Sequence, residues 1–349
     1  MKISILIPTY NRHELVVKNL LSLNHQTKKN FSVTVFDNGS EPALNLQRIE
    51  TKYNLELQRS DRNIDLQSVI NQWILSTSGE VLLVLADDDI LLPQAIEIVT
   101  SIFRSSAEIE SLAVGFTRFS HQQKCFLGPQ RFSGQIFNFN AHLAAVSYLS
   151  HWCIGDPVVD EIPRMSHPST SFFRRQLVDK TIEIQGSFAM SLLFDVGFLG
   201  ACFNQKTLCY LDVNLALIGT EPNTLSKSSV NSPRLSWAVM RDRLRYVPLK
   251  SASHFNVAVD SHLTVAQIYK QRHNLDCRLR DEYFIRQLKE ISLDVEWVDQ
   301  TKIDFEEILP FLKDVSTKNF NFDGLNSTEL LDRVRSFVKV YPIENRGPI

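Results

Sequence analysis

Residues Val81-Leu82-Leu83-Val84-Leu85-Ala86-Asp87-Asp88-Asp89-Ile90-Leu91-Leu92-Pro93 constrain this chain more than any other stretch. The run opens on five consecutive aliphatic residues, the pattern of a strand buried on both faces of a parallel sheet. It closes on three adjacent carboxylates. Pro93 then precedes Ala95, Ile98, Val99, Ile102 and Phe103, whose spacing predicts an amphipathic helix. The three aspartates therefore fall between the end of a strand and the start of a helix. In open α/β sheets that edge is where ligands bind. Adjacent carboxylates repel one another unless a cation or hydrogen-bond donors compensate. All-oxygen ligands suit a hard divalent ion, Mn²⁺ or Mg²⁺, bridging to substrate phosphates. A solvated acidic turn is the plainer reading of the same residues.

The upstream sequence repeats this alternation. Ile3 to Ile7 predicts a buried strand, followed by the loop Pro8-Thr9-Tyr10-Asn11-Arg12. Asn11 and Glu14 resemble a capping box for a helix with Val16, Leu20 and Leu23 on one face. Phe31 to Phe36 and Leu55 to Leu57 predict two further strands, the first ending in the turn cluster Asp37-Asn38-Gly39-Ser40. Leu66, Val69, Ile70, Trp73 and Ile74 mark the next helix. This order predicts an α/β fold built on a doubly wound, mostly parallel sheet. Its loops would carry Thr9, Asp37, Arg62 and Asp87 to Asp89 to one edge.

Farther along, Leu112 to Phe116 and Cys209 to Leu217 read as strands, residues 118–140 as loop or small hairpins, and residues 188–199 as a helix. From 231 onward the periodicity is helical. The expected division is 1–110, 111–230 and a helical C-terminal subdomain, 231–349. Among 349 residues, 44% are hydrophobic and 22% charged, as in ordinary soluble domains. A formal net charge of −2 argues against a nucleic-acid partner. Five scattered cysteines without a Cys-x-x-Cys pair suit reduced thiols, hence a cytoplasmic location. The apolar run at Ile3–Ile7 is too short for a signal peptide. Arg234, Arg241, Arg243, Arg245 and Lys250 accompany a Trp237/Met240/Leu244 stripe. That pattern suits either peripheral contact with an anionic membrane or a solvated helix face.

Four motifs in this order resemble family 2 glycosyltransferases of the GT-A fold. They are Ser4-Ile5-Leu6-Ile7-Pro8-Thr9-Tyr10-Asn11-Arg12, Val35-Phe36-Asp37-Asn38-Gly39-Ser40, Arg62-Asn63 ahead of Ile70-Asn71-Gln72, and Gly79-Glu80 through Pro93. The resemblance implies a nucleotide-diphosphate-sugar donor and inverting transfer to a hydroxyl of a glycan or lipid-linked acceptor, in surface polysaccharide or lipopolysaccharide synthesis. It implies that Pro8, Thr9, Tyr10, Arg12 and Arg62 line the nucleotide pocket and that Asp37 accepts a hydrogen bond from the base. Asp87 would serve the ribose or the metal shell, and Asp88 would hold Mn²⁺ or Mg²⁺ with Asp89 nearby.

The chain departs from the family pattern in three ways. Ala86 and Asp65 stand where the family commonly has Asp and Gly. The third departure concerns the catalytic base, because Phe188-Ala189-Met190-Ser191, where it is expected, holds no carboxylate. Asp195, one helical turn beyond Ser191, and Asp156, in an acidic loop, are the candidate bases. Two rivals remain open. A non-catalytic nucleotide-sugar-binding scaffold would explain the missing base. A sugar nucleotidyltransferase would need a glycine-rich loop and a lysine that Pro8-Thr9-Tyr10-Asn11 does not supply.

Overall fold

The structure is a computed structural model. It describes residues 1–120, 125–127, 131–141, 144, 167–190, 199–202, 204–219, 260, 261, 263–265 and 268. The chain divides into two compact units, Met1–Ser147 with Val159–Thr224, and Tyr148–Val158 with Leu225–Ile349. Almost all described residues lie in the first unit.

That unit is built on a ten-stranded sheet. In chain order its elements are β1 (Ile3–Thr9), α1 (His13–Leu23), β2 (Phe31–Asp37), β3 (Asn54–Arg59), α2 (Leu66–Ser76) and β4 (Val81–Val84). Then come β5 (Ile90–Leu91), α3 (Ala95–Ser105), β6 (Ser111–Ser120), β7 (Cys125–Leu127) and β8 (Ile136–Asn140). A 3-10 turn at Pro168–Thr170 leads into β9 (Ser171–Arg174), α4 (Arg175–Gln185), the short α5 (Leu199–Cys202) and β10 (Thr207–Gly219).

The sheet order is β3-β2-β1-β4-β9-β6-β10-β5, with β7 on β6 and β8 on β10. Strands β1 to β4 are parallel. β9 runs against both β4 and β6, which restores β6, and β10 beside it, to the common direction. β5, β7 and β8 run against their partners. The predicted mostly parallel α/β sheet is thus present, with antiparallel strands confined to β5 and β7 to β9.

Alternation along β1 and β4 explains why both read as unbroken apolar runs. Ile3, Ile5 and Ile7 join Val81, Leu83 and Leu85 in one cluster with Val16 and Leu20 of α1 and Ile96, Val99 and Phe103 of α3. Leu6, Leu82 and Val84 face the other way, against Val69, Ile70, Trp73 and Ile74 of α2 and Leu177 and Val178 of α4. Helices cover both faces, so neither set of side chains meets water.

Several local expectations differ from the structure. Asn11 does not cap α1: it adopts a left-handed φ of 54°, which asparagine tolerates better than most residues. Its N–H donates to Ser40 Oγ at 2.9 Å, its Oδ1 accepts from the Glu41 N–H at 2.8 Å, and Arg12 takes the cap position without a side-chain capping bond. The residues after Asp89 form β5 before the helix begins. Residues 118–140, read as loop or small hairpins, do hold the antiparallel β6–β7 pair, and also β8 on β10. Phe188 to Met190 are not helical, and α4 precedes them.

Candidate active site

The parallel register assembles a cluster at the carboxyl edge. Thr9 stands beside Asp37, Asp37 beside Arg59, and Leu6 beside Val84. The loops leaving β1, β2, β3 and β4 therefore open side by side.

Four of the expected residues, Thr9, Arg12, Asp87 and Asp88, converge there. Thr9 Oγ1 donates to Asp87 Oδ2 at 2.8 Å. The Arg12 guanidinium bridges two carboxylates, with NH1 2.5 Å from Asp87 Oδ1 and NH2 2.9 Å from Asp88 Oδ2. Both aspartates are buried, at 4% and 7% exposure. Burial pushes the Asp87 carboxyl up to about 7 against the pull of Arg12, with the Asp88 charge adding to the rise and the Thr9 hydroxyl opposing it.

Asp89 differs from its neighbours. It is buried, its Oδ1 accepts the Gly219 N–H at 2.8 Å, and its Oδ2 accepts the Ser169 hydroxyl. Burial and then the Asp88 charge hold its carboxyl well above the usual range. Asp89 therefore fastens the turn to β10 and to the approach to β9. The contact is close: a Cβ on Gly219 would lie 2.4 Å from the Asp88 carbonyl oxygen. Ala86 contributes its backbone. Its N–H donates to Ser169 Oγ at 3.0 Å, and its carbonyl accepts from Asn19 Nδ2 at 3.0 Å. Asn19 Nδ2 also reaches the Asp89 carbonyl at 2.7 Å.

Asp37 is fully buried. It accepts from the Ser40 N–H at 2.9 Å, from the Leu44 N–H at 3.0 Å and from Arg59. Burial alone would raise its carboxyl, but the Ser40 and Leu44 bonds and the Arg59 charge bring it below the ordinary value. An acceptor so enclosed shapes the loop 38–44, with one bond on Oδ1 and two on Oδ2. Arg62 is exposed, and the cation on Asp37 is Arg59, at the end of β3. Arg62 contributes backbone instead: a Cβ on Gly39, which has a φ of 77°, would lie 2.6 Å from the Arg62 carbonyl carbon. Pro8 pairs with Phe36 inside the sheet, and Tyr10 is half-buried in the loop beyond Thr9.

Arg174 and Arg175 lie at the opposite edge, where Arg174 pairs with Val81 at the start of β4. Arg174 donates to the carbonyls of Ile109, Phe103 and Ser106, and Arg175 to the Thr77 carbonyl. Asp65 caps α2, accepting from the Ser68 N–H at 2.9 Å. Asp156, Asp195 and the 234–250 stripe lie outside the described residues.

Sequence reasoning missed Arg59, Ser169, Gly219 and His167. Burial draws His167 down to about 4; its Nδ1 lies 4.0 Å from Asp89 Oδ2 and has no hydrogen-bond partner among the described residues. It also missed Asn19, although a signal existed: a polar residue on the buried face shared by Val16, Leu20 and Leu23.

Among the described residues, no group of three or more His, Cys, Asp or Glu is arranged to hold a metal ion. Asp87 and Asp88 nevertheless converge on a single cation, the guanidinium. A pair of that kind fits a hard divalent ion, which takes one or two protein carboxylates and completes its shell with substrate phosphates and water.

Residues 4–137 match the family described as Glycosyl transferase family 2. An uncharacterized glycosyltransferase of Haemophilus influenzae is 27% identical over 131 residues, 38% of this chain and 42% of its own length. The uncharacterized glycosyltransferase YfnE of Bacillus subtilis is 32% identical over 117 residues, 33% of this chain and 29% of its own length. The chain thus spans less than half the length of either relative. Among solved structures, S. aureus TarS 1-349 in complex with UDP-GlcNAc aligns with a TM-score of 0.55 at 15% identity, covering 97% of this chain and 92% of that one. A second TarS structure aligns at 0.50 and 16% identity, covering 96% and 53%. At such identities the likeness is one of fold.

Proposed function

We propose, on the premise that residues 4–137 are a family 2 glycosyltransferase domain, that this chain transfers a sugar from a nucleotide-diphosphate sugar to an acceptor hydroxyl. The observation that carries the reading is the meeting of Thr9, Arg12, Asp87 and Asp88 at the edge where the parallel strands end. The UDP-GlcNAc held by the structurally similar TarS makes a uridine donor the first to test.

The residues divide the work. Asp37 and Arg59 brace the loop 38–44 beside the cluster. Thr9 holds the Asp87 carboxylate in position, and Asp89 and Asn19 fix the turn that presents Asp87 and Asp88. Asp88 and Asp87 would hold Mn²⁺ or Mg²⁺, and such an ion would neutralise charge on the departing nucleoside diphosphate. A carboxylate base, Asp195 or Asp156, takes the proton of the acceptor hydroxyl as that oxygen attacks the anomeric carbon opposite the leaving group, inverting its configuration. The acceptor in this reading is a glycan or lipid-linked sugar in surface polysaccharide or lipopolysaccharide synthesis, met at the cytoplasmic face of the membrane. Among the described residues, no helix is long and apolar enough to cross that membrane.

One observation favours the non-catalytic scaffold as the second reading. Asn71 clamps Phe188 and Ala189, at the place where the family's base is expected, and no carboxylate stands there. Thermal unfolding with a panel of nucleoside diphosphates and nucleotide sugars, with and without Mn²⁺, tests the donor site. A matched nucleotide at a hundredfold excess over its Kd should raise the melting temperature by about 5 °C. Asp88→Ala should abolish that rise. A flat response across the panel defeats the donor-site reading. Donor binding with no hydrolysis or transfer on any acceptor favours the scaffold.

A further inference from the structure

We infer that Arg12 is a built-in counter-ion that keeps the Asp87–Asp88 pair closed to a free divalent ion and yields it to an ion arriving with a diphosphate. The inference rests on the nucleotide-sugar reading and deepens it, since it concerns how the same site is loaded.

The guanidinium does not grip one carboxylate with both nitrogens, as a simple surface ion pair would. NH1 goes to Asp87 and NH2 to Asp88, so one cation spans two adjacent acids. The pair lies in a nearly dry place: the side chains of Asp87 and Asp88 are 5% and 7% exposed, and that of Arg12 20%. Two neighbouring carboxylates repel each other in so dry a place, and the guanidinium between them offsets that repulsion. The placement is fixed from behind. Asn11, held in its left-handed conformation by Ser40 and Glu41, sets the direction in which the chain enters α1 at Arg12. Thr9 holds the far oxygen of Asp87.

A divalent ion entering alone must draw at least one carboxylate from the guanidinium. In return it finds, among the described residues, the two carboxylates of Asp87 and Asp88, because Asp89 is buried and turned toward the Gly219 N–H and the Ser169 hydroxyl. A small hard cation surrenders its water reluctantly for so few ligands. A diphosphate removes both obstacles. Its oxygens supply the missing coordination positions, and they offer the displaced guanidinium the planar, charge-assisted bonding that arginine makes with phosphate. Ion and nucleotide should therefore bind with positive coupling, each strengthening the other by the same factor.

The test titrates Mn²⁺ into the full chain and follows free Mn²⁺ by electron paramagnetic resonance, with and without UDP. Wild type should bind Mn²⁺ alone at least about tenfold more weakly than Arg12→Gln, the size expected when a charge-assisted competitor is removed. The double variant Arg12→Gln/Asp88→Asn should lose the gain. Equal Mn²⁺ affinity in wild type and Arg12→Gln, or no binding by either, overturns the inference. If Arg12→Gln does not fold, Arg12→Lys replaces it. Lysine keeps the charge but cannot span two carboxylates. Mn²⁺ should still bind Arg12→Lys more tightly than wild type, and equal affinity again overturns the idea. The UDP arm is judged separately. If UDP never binds, the donor reading fails, while the comparison in Mn²⁺ alone still decides the role of Arg12.

Discussion

At the scale of single residues, the site is defined by how three adjacent aspartates are made unequal. Asp87 meets a hydroxyl and a guanidinium, Asp88 meets the other arm of that guanidinium, and Asp89 faces inward to a backbone amide and a serine. This inequality has a pH signature. Asp87 in the folded chain is raised to about 7, above the ordinary carboxylate value it regains on unfolding. A group shifted in that direction favours the folded state fully below its unfolded value, and the advantage is lost as pH rises through the folded value. The stability of wild type relative to Asp87→Asn should therefore fall from about pH 4 to pH 7, and by about 3 kcal/mol between pH 5 and pH 8. Denaturant unfolding of both proteins without metal, at pH 5 and pH 8, measures that difference. A gap that is constant across the range would mean that Asp87 is ionised throughout. The sequence displayed the acids but not their inequality, because the partners that distinguish them, Arg12, Ser169 and Gly219, are remote along the chain. Asn19 was the exception, since its misplaced polarity on the α1 stripe is a local signal.

At the scale of elements, what could be read from sequence was whatever rested on local periodicity. β1, β2, β4, α1, α2 and α3 each show their own repeat of apolar positions and were legible. β5 was not, because two residues carry no period, and it exists only by pairing with Ala216 and Leu217 of β10. α4 was missed for a related reason: it buries only Leu177, Val178 and Thr181, too narrow a stripe to stand out. The segment after α4 is held by an equally non-local device. Asn71 on α2 donates to the Ala189 carbonyl at 2.9 Å and accepts from the N–H groups of Phe188 and Ala189 at 3.2 and 3.0 Å. One amide side chain thus satisfies three backbone groups that no strand or helix would pair. Asn71→Ala should destabilise the chain by about 2–3 kcal/mol, since it strands those groups in a partly buried place. Urea unfolding provides the check. A loss below about 0.5 kcal/mol would show that water replaces the clamp without penalty.

At the scale of the described unit, the sheet separates chemistry from fastening. Every residue assigned to the site stands where the parallel strands end. The Arg174–Arg175 pair stands where they begin, with Arg174 drawing the end of α3 and the residues after it onto β9. Its three carbonyl acceptors include Phe103, within the last turn of α3, and Ser106, the residue that caps it, where a helix leaves carbonyls without internal partners. Its guanidinium also lies 5.0 Å from the centre of the Phe103 ring. Arg174→Met keeps much of the side-chain volume and removes the donors. It should lower unfolding stability by about 2–4 kcal/mol through the stranded carbonyls, yet leave donor affinity in the folded fraction within about twofold of wild type, a margin under 0.5 kcal/mol. Calorimetric titration of the nucleotide identified by the thermal panel, below the unfolding range of the variant, reads the second quantity. Lost stability with unchanged affinity would establish that the two edges act independently. A matching loss of affinity would mean that the turn at Asp87 to Asp89 takes its geometry from the far edge, through the strand Val81 to Val84 or through β9, whose approach at Ser169 holds Asp89 and Ala86.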